Sequence, residues 1–136
     1  MQVIGFNLTK VSIEREEKPE GKLEIKQNIH IDDLAIEKVP ISKDEAIRLK
    51  FVFSVDYNDG KFARLELKGN VILLPQKDEL KKFKKAWQDK QVPEESKVPL
   101  FNFIMNKCNI KAIQLEDEMN LPIHVQLPKL QFKKEE

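Results

Sequence analysis

Between Ile47 and Leu73 the apolar side chains hold one parity across a turn. Ile47, Leu49, Phe51, Phe53, Val55 and Tyr57 all stand at odd positions. Asn58-Asp59-Gly60 then supplies turn chemistry, and Ala63, Leu65, Leu67, Val71 and Leu73 resume the odd pattern. The even neighbours include Arg48, Lys50, Asp56, Arg64, Glu66 and Lys68. Period two sends successive side chains to opposite faces of a sheet, so this segment reads as a long antiparallel hairpin, apolar on one face and charged on the other. Whatever else the chain forms must cover that apolar face.

The flanking segments extend the sheet and then change period. Ile4, Phe6 and Leu8 alternate at even positions, and Val11 and Ile13 continue at odd ones, as a bulge near Thr9-Lys10 would produce. Leu23, Ile25, Ile29 and Ile31 form a second run that switches parity to Leu34 and Ile36 across Asp32-Asp33, and Pro40 closes it. Four strands in sequence predict a meander. Pro75 ends the sheet, and Asp78 is an N-cap or first-turn acid for a short helix reaching about Lys90, with Leu80, Phe83 and Trp87 at helical spacing. Val92-Pro93 breaks it, and a longer helix runs from about Ser96 to Met119 until Leu121-Pro122. The expected fold is α+β: a four-stranded antiparallel meander sheet with two C-terminal helices on one face. Its 136 residues make one domain, with sheet over 1–75, helices over 76–120 and an extended tail over 121–136.

The long helix carries more apolar surface than one sheet can bury. Val98, Phe101, Met105, Cys108, Ala112, Leu115 and Met119 form a seam at alternating spacings of three and four, with small Cys108 and Ala112 permitting close approach. Phe103 and Ile110 fall on nearly the opposite side, with Ile113 towards them. Either the tail folds back over that second side, or it is a subunit or client interface.

Catalytic signatures are missing from the sequence. The four glycines are scattered, so there is no phosphate loop, and His30 and His124 lie in no motif and read as solvated. The single cysteine, Cys108, sits in the helix seam as a buried, inert thiol, excluding an intramolecular disulfide. Asp32-Asp33 and Glu116-Asp117-Glu118 read as a turn and a solvated helix face rather than metal ligands. No enzyme, cofactor or metal is expected. The lysine-rich segment 77–90, with Lys81-Lys82-Phe83-Lys84-Lys85-Ala86-Trp87 at its heart, offers an alternative as a nucleic-acid-binding or regulatory module. Inward-packing Phe83 and Trp87, with the lysines facing water, account for it better, and 24 basic against 23 acidic residues argue against nucleic acid. The start, Met1-Gln2-Val3-Ile4-Gly5, lacks a basic segment followed by an apolar run, so no signal peptide or membrane span is expected, and the location expected is cytoplasmic.

The element order and the C-terminal third resemble the SecB family of protein-export chaperones. The residues that carry the resemblance are Pro99-Leu100-Phe101 at the start of the long helix, Leu121-Pro122 at its end, Leu127-Pro128 six residues later, and Phe132. The resemblance implies a homotetramer with helices sandwiched between outer sheets, and a holdase that keeps unfolded or pre-protein clients in apolar grooves without nucleotide. On this reading client contact falls to Trp87, Phe101, Phe103, Leu121 and Pro122, and the oligomer interface to Ile110 and Ile113. Phe51 and Phe53 line either groove or core. Phe103→Asp is expected to leave folding intact and abolish holdase activity or assembly. SecB proteins are typically acidic, which serves docking to the SecA motor, whereas this chain is near neutral. Relatives outside the export pathway, including those paired with toxin–antitoxin modules, fit it better.

Overall fold

The odd-parity hairpin forms the centre of the sheet. In the computed structural model, which describes residues 1–39 and 44–130, β3 (Glu45–Tyr57) pairs antiparallel with β4 (Ala63–Leu74). Asn58, Asp59 and Gly60 take φ values of 54°, 57° and 84° in the turn between them. Asn, Asp and Gly are the residues that enter the left-handed region at least cost, so the turn forms where its chemistry stands. Every odd residue of β3 from Ile47 to Tyr57 is buried, as are Ala63, Leu65, Leu67, Val71 and Leu73.

Two outer strands flank the hairpin. β1 (Gln2–Arg15) pairs with β4, and β2 (Ile25–Lys38) pairs with β3, both antiparallel. The expected bulges are present, with register shifts between Leu8 and Lys10 and between Ile31 and Asp33. A third shift, between Val3 and Gly5, was not expected. It brings Val3 rather than Ile4 against the core and leaves Ile4 exposed.

The strand order is β1-β4-β3-β2, which corrects the meander. β2, β3 and β4 do follow one another as a meander, but β1 lies at the far edge, beside β4. Residues 16–24 cross the end of the hairpin to join β1 to β2. Glu16 N–H donates to Phe62 O at 2.8 Å, and Asn58 N–H donates to Glu24 O at 2.8 Å. Three strand spacings are about 14 Å, well within reach of that segment. Alternation tells which face a side chain takes and is silent on which strand lies beside it.

α1 (Lys77–Trp87) begins at Gln76, whose N–H donates to Glu79 Oε1 at 3.0 Å, so Asp78 is a first-turn acid and not the cap. Phe83 is its buried anchor. α2 (Glu94–Glu118) lies on the apolar sheet face and buries Leu100, Ile104, Cys108, Ala112 and Leu115 in the core. The helix ends in a Schellman motif: Leu121 N–H reaches Glu116 O at 2.8 Å, Asn120 N–H reaches Asp117 O at 3.2 Å, and Asn120 has φ 53°. Arg15 of β1 pins this end, its Nη1 donating to Met119 O at 2.7 Å and Asn120 O at 3.1 Å. Pro40 and Phe132, which were assigned to a strand end and to the tail, lie outside the described residues.

The buried stripe of α2 differs from the expected seam. Cys108, Ala112 and Leu115 belong to both, but in the N-terminal half Leu100 and Ile104 face inward and Val98 is 65% exposed. A seam repeating every 3.5 residues drifts about 20° per heptad on a straight helix and stays in register only if the helix supercoils. Spacings of 4, 4, 4 and 3, as from Leu100 to Leu115, stay on one side of a straight helix lying on a sheet.

Candidate polypeptide-binding face

The two flanks of α2 have different neighbours. On one flank Phe103 meets Phe6 of β1 edge-to-face, with ring centroids 5.9 Å apart at 75°. Phe6 in turn stacks on Phe51 of β3 at 5.4 Å and 16°. These two rings lie on strands either side of β4, and Gly69 of β4 leaves the space between them. A Cβ built there would collide with the Asn7 carbonyl and come within 2.9 Å of Phe51 Cζ. Phe103 is therefore half-buried at the margin of the core. This corrects the expectation that Phe103→Asp leaves folding intact, because the substitution sets a carboxylate against the Phe6 ring.

The other flank runs through Val98, Phe101, Met105, Asn109 and Glu116. At 100° per residue, Phe101 and Phe103 stand about 160° apart, so the two cannot line one side of the helix. Phe101 and Met105 are half-buried. Towards the C-terminus this flank is covered by the tail. The Tyr57 hydroxyl donates to the Pro122 carbonyl. His124 N–H lies 3.3 Å from Glu116 Oε1, and its ring Nδ1 lies 2.8 Å from both Glu116 carboxylate oxygens. The ring Nε2 lies 2.8 Å from Asn109 Oδ1, and the ring meets Phe53 edge-on at 5.9 Å. Both the Glu116 and the His124 side chains are 0% exposed. Burial, and then the adjacent Glu116 carboxylate, push the Tyr57 hydroxyl far above the ordinary tyrosine range, so it remains a donor.

His124 is thus not the solvated residue expected, nor does Glu116 belong to a solvated face. Neither residue carries a periodic signal. The one clue is that the i, i+4, i+7 set Asn109, Ile113 and Glu116 shares a side of α2. The tail folds back over this side rather than over the side of Phe103 and Ile110 that was expected; Ile113 is half-buried and Ile110 remains 63% exposed. Leu121 is buried beneath the helix end and Pro122 is exposed. Trp87, at the end of α1, is half-buried with Lys90 Nζ 5.1 Å from its ring centroid. Phe103 and Leu121 lie more than about 20 Å apart along the α2 axis, so the expected client residues are strung along the layer rather than gathered in a pocket. Phe51 and Phe53 are core. At the sheet edges, Val11 is 46% exposed although it pairs with buried Leu67, and Ile25 and Ile36 are exposed on β2.

On the lysine-rich helix the aromatic at its heart is not presented to solvent, and part of its charge is paired. Phe83 is fully buried, Lys82 Nζ lies 2.9 Å from Glu95, and Lys84 Nζ lies 3.6 Å from Glu45. The hollow of about 790 Å³ under the crossover is lined by Glu16, Glu17, Lys18, Glu20, Asn58, Lys61 and Phe62, too polar for an apolar client. Among the described residues no cluster of three potential ligands could hold a metal, and no helix is long and apolar enough to cross a membrane. Cys108 is buried and free, and burial pushes its thiol up to about 12, so the nucleophilic thiolate is suppressed.

A four-stranded antiparallel sheet with one outer strand joined across the hairpin end to the other, and two helices on a single face, defines a SecB-like fold. The structure is similar to that of the Mycobacterium tuberculosis SecB-like chaperone Rv1957, solved in complex with a ChAD peptide from the HigA1 antitoxin. The likeness covers 96% of this chain and 89% of that one, with a TM-score of 0.54 and 12% sequence identity, and is a likeness of fold. No protein-family model matches the chain, and no curated protein matches it in sequence.

Proposed function

We propose that this protein is a SecB-like holdase, a nucleotide-independent chaperone that binds non-native polypeptide segments along the apolar face of its helical layer. The observation that carries this reading is α2. Having buried one stripe against the sheet, it keeps Val98 and Ile110 open to solvent and Phe101, Met105 and Phe103 half-covered on its flanks. Apolar side chains at intervals along an elongated surface suit extended clients of varied sequence, because many weak contacts add without needing a fixed motif. The fold likeness to a chaperone that holds an antitoxin peptide supports the same reading and makes an antitoxin-type partner a candidate client.

The client-facing residues are Trp87, Phe101 and Phe103, spread over both sides of α2; of the others expected, Leu121 is buried in the core and Pro122 is held in the tail by Tyr57. Ile110 and Ile113 face a second subunit in a homo-oligomer, a tetramer on the SecB pattern. The near-neutral charge speaks against docking to an export motor. The test is solution mass by light scattering, alone and with an unfolded, aggregation-prone client. An oligomer that captures the client in a stable complex, with affinity little changed by salt, is the expected result. A monomer that ignores the client refutes the proposal. Binding that collapses as salt rises points instead to the lysine-rich helix and a phosphate-bearing ligand.

A further inference from the structure

The tail does not extend the sheet. Its residues 121–125 form no strand, and the side chains of the body hold it. Tyr57 of β3 takes a backbone carbonyl, Glu116 of α2 takes a backbone N–H and a side chain, Asn109 takes the far side of that side chain, and Phe53 lies under it. Leu121 is buried, Pro122 is exposed, Ile123, His124 and Val125 are half-buried with the His124 side chain fully covered, and Gln126 to Leu130 are all exposed. These are the features of a seat for an extended chain, with apolar positions, one backbone clamp and one polar socket.

We infer that this seat between β3 and α2 is a polypeptide-binding site which the chain fills in cis, and that Pro122–Val125 serve as an autoinhibitory strap displaced by client. This rests on the holdase reading above and deepens it. Three observations carry it. The hold is confined to a few residues, so the strap can leave without unwinding a β-ladder. The helix end does not depend on it, because the Schellman motif, closed by the Leu121 N–H, and Arg15 fix α2 and buried Leu121 up to a hinge after Leu121. The covered flank also continues past the hold into Met105, Phe101 and exposed Val98, so an extended segment longer than the strap gains surface that the strap does not use. Glu116 sets the ligand chemistry. It is buried, and once His124 departs its carboxylate needs another donor. The favoured client is an extended segment of apolar residues with a histidine, lysine, arginine or amide side chain in the socket.

The test uses reduced, carboxymethylated lactalbumin, a permanently unfolded probe, with the full chain, Tyr57→Phe and His124→Ala. Tyr57→Phe removes the hydroxyl that holds Pro122 and that also lies beside the Glu116 carboxylate. Losing one such hydrogen bond raises the strap-free fraction, and with it the apparent affinity, by about five-fold where the strap is mostly closed. Hydrogen exchange at the amides of residues 123–125 of the unaltered chain should rise when the probe binds, a readout that does not depend on how well either variant folds. Probe binding with unchanged exchange at 123–125 and no tightening in either variant overturns the strap and leaves the holdase reading standing. Absence of probe binding in the unaltered chain and in variants whose tail exchanges freely overturns both.

Discussion

Gly69→Ala tests whether the packing between the outer strand and the helix is as tight as the geometry requires. The added methyl has three neighbours: the Asn7 carbonyl oxygen, Phe51 Cζ at 2.9 Å, and Leu8 Cα at 3.1 Å. Two of these are backbone atoms of β1, which no side-chain rotation can move. Phe51 is held between the core and Phe6, which is itself held by Phe103. Relief therefore requires β1 to move away from β4 and the three-ring stack to open. Overpacking of this kind costs about 1–3 kcal/mol, against about 0.5–1 kcal/mol recovered by removing a glycine from a strand. A net loss of about 1–2 kcal/mol is expected, a fall of roughly 3–7 °C in Tm. Urea denaturation with hydrogen exchange should show the loss concentrated in β1. Gly5→Ala is the control, because its nearest obstacle is the Ile72 side chain at 3.2 Å, which can turn aside. Gly69→Ala at or above the stability of the unaltered chain would refute the account of the Phe6–Phe51–Phe103 stack as a close-packed unit.

Glu116→Ala removes the partner of a fully buried histidine and should cost about 2–4 kcal/mol in urea melts, with Glu116→Gln milder because an amide can still meet the ring. Ile110→Asp should change stability by less than about 0.5 kcal/mol while lowering the oligomer mass in light scattering, whereas Phe103→Asp should lower stability by about 2 kcal/mol or more. Stability should fall in alkali. The folded chain holds the Cys108 and Tyr57 protons more tightly than the unfolded chain, so their contribution is complete below the unfolded thiol pKa near 8.5 and is lost as pH rises towards about 12. The slope for Cys108 is about 1.4 kcal/mol per pH unit, or about 2 kcal/mol lost by pH 10, and melts of Cys108→Ala should lack it over that range.

The sheet was legible wherever parity carried the information. The bulges after Leu8 and Ile31 both appear as an even-to-odd or odd-to-even switch in the apolar residues, and Asn58-Asp59-Gly60 marks its own turn. Ile4 misled because a bulge beside it shifts the inward position to Val3, and a lone apolar residue cannot reveal that. The strand order was hidden because partner choice depends on the path of the 16–24 crossover, whose charged sequence says only that it is exposed. α2 was legible as a helix but ambiguous in phase, since two interleaved stripes share Cys108, Ala112 and Leu115 and differ only at Val98, Phe101 and Met105 against Leu100 and Ile104. The polar socket was invisible for a different reason. His124, Glu116, Asn109 and Tyr57 are drawn from the tail, α2 and β3, and only the reversal of the chain at Asn120 brings them together.

The pairing of β1 with β4 also decides the order in which the molecule can be completed. Gln2 faces Leu74 in the finished sheet, while β2, β3 and β4 can close on near neighbours in sequence. As the chain leaves the ribosome, its first strand emerges with Val3, Phe6 and Leu8 uncovered and has no partner until β4 has followed. Phe6 then waits longer still for Phe103. Contacts of such long range are slow to form, and an unpaired apolar strand is a site of misassociation while it waits. β1 is made well before its partner β4 and is therefore among the last of these strands to be sheltered, and during its own synthesis this chain exposes the kind of segment that a holdase exists to cover.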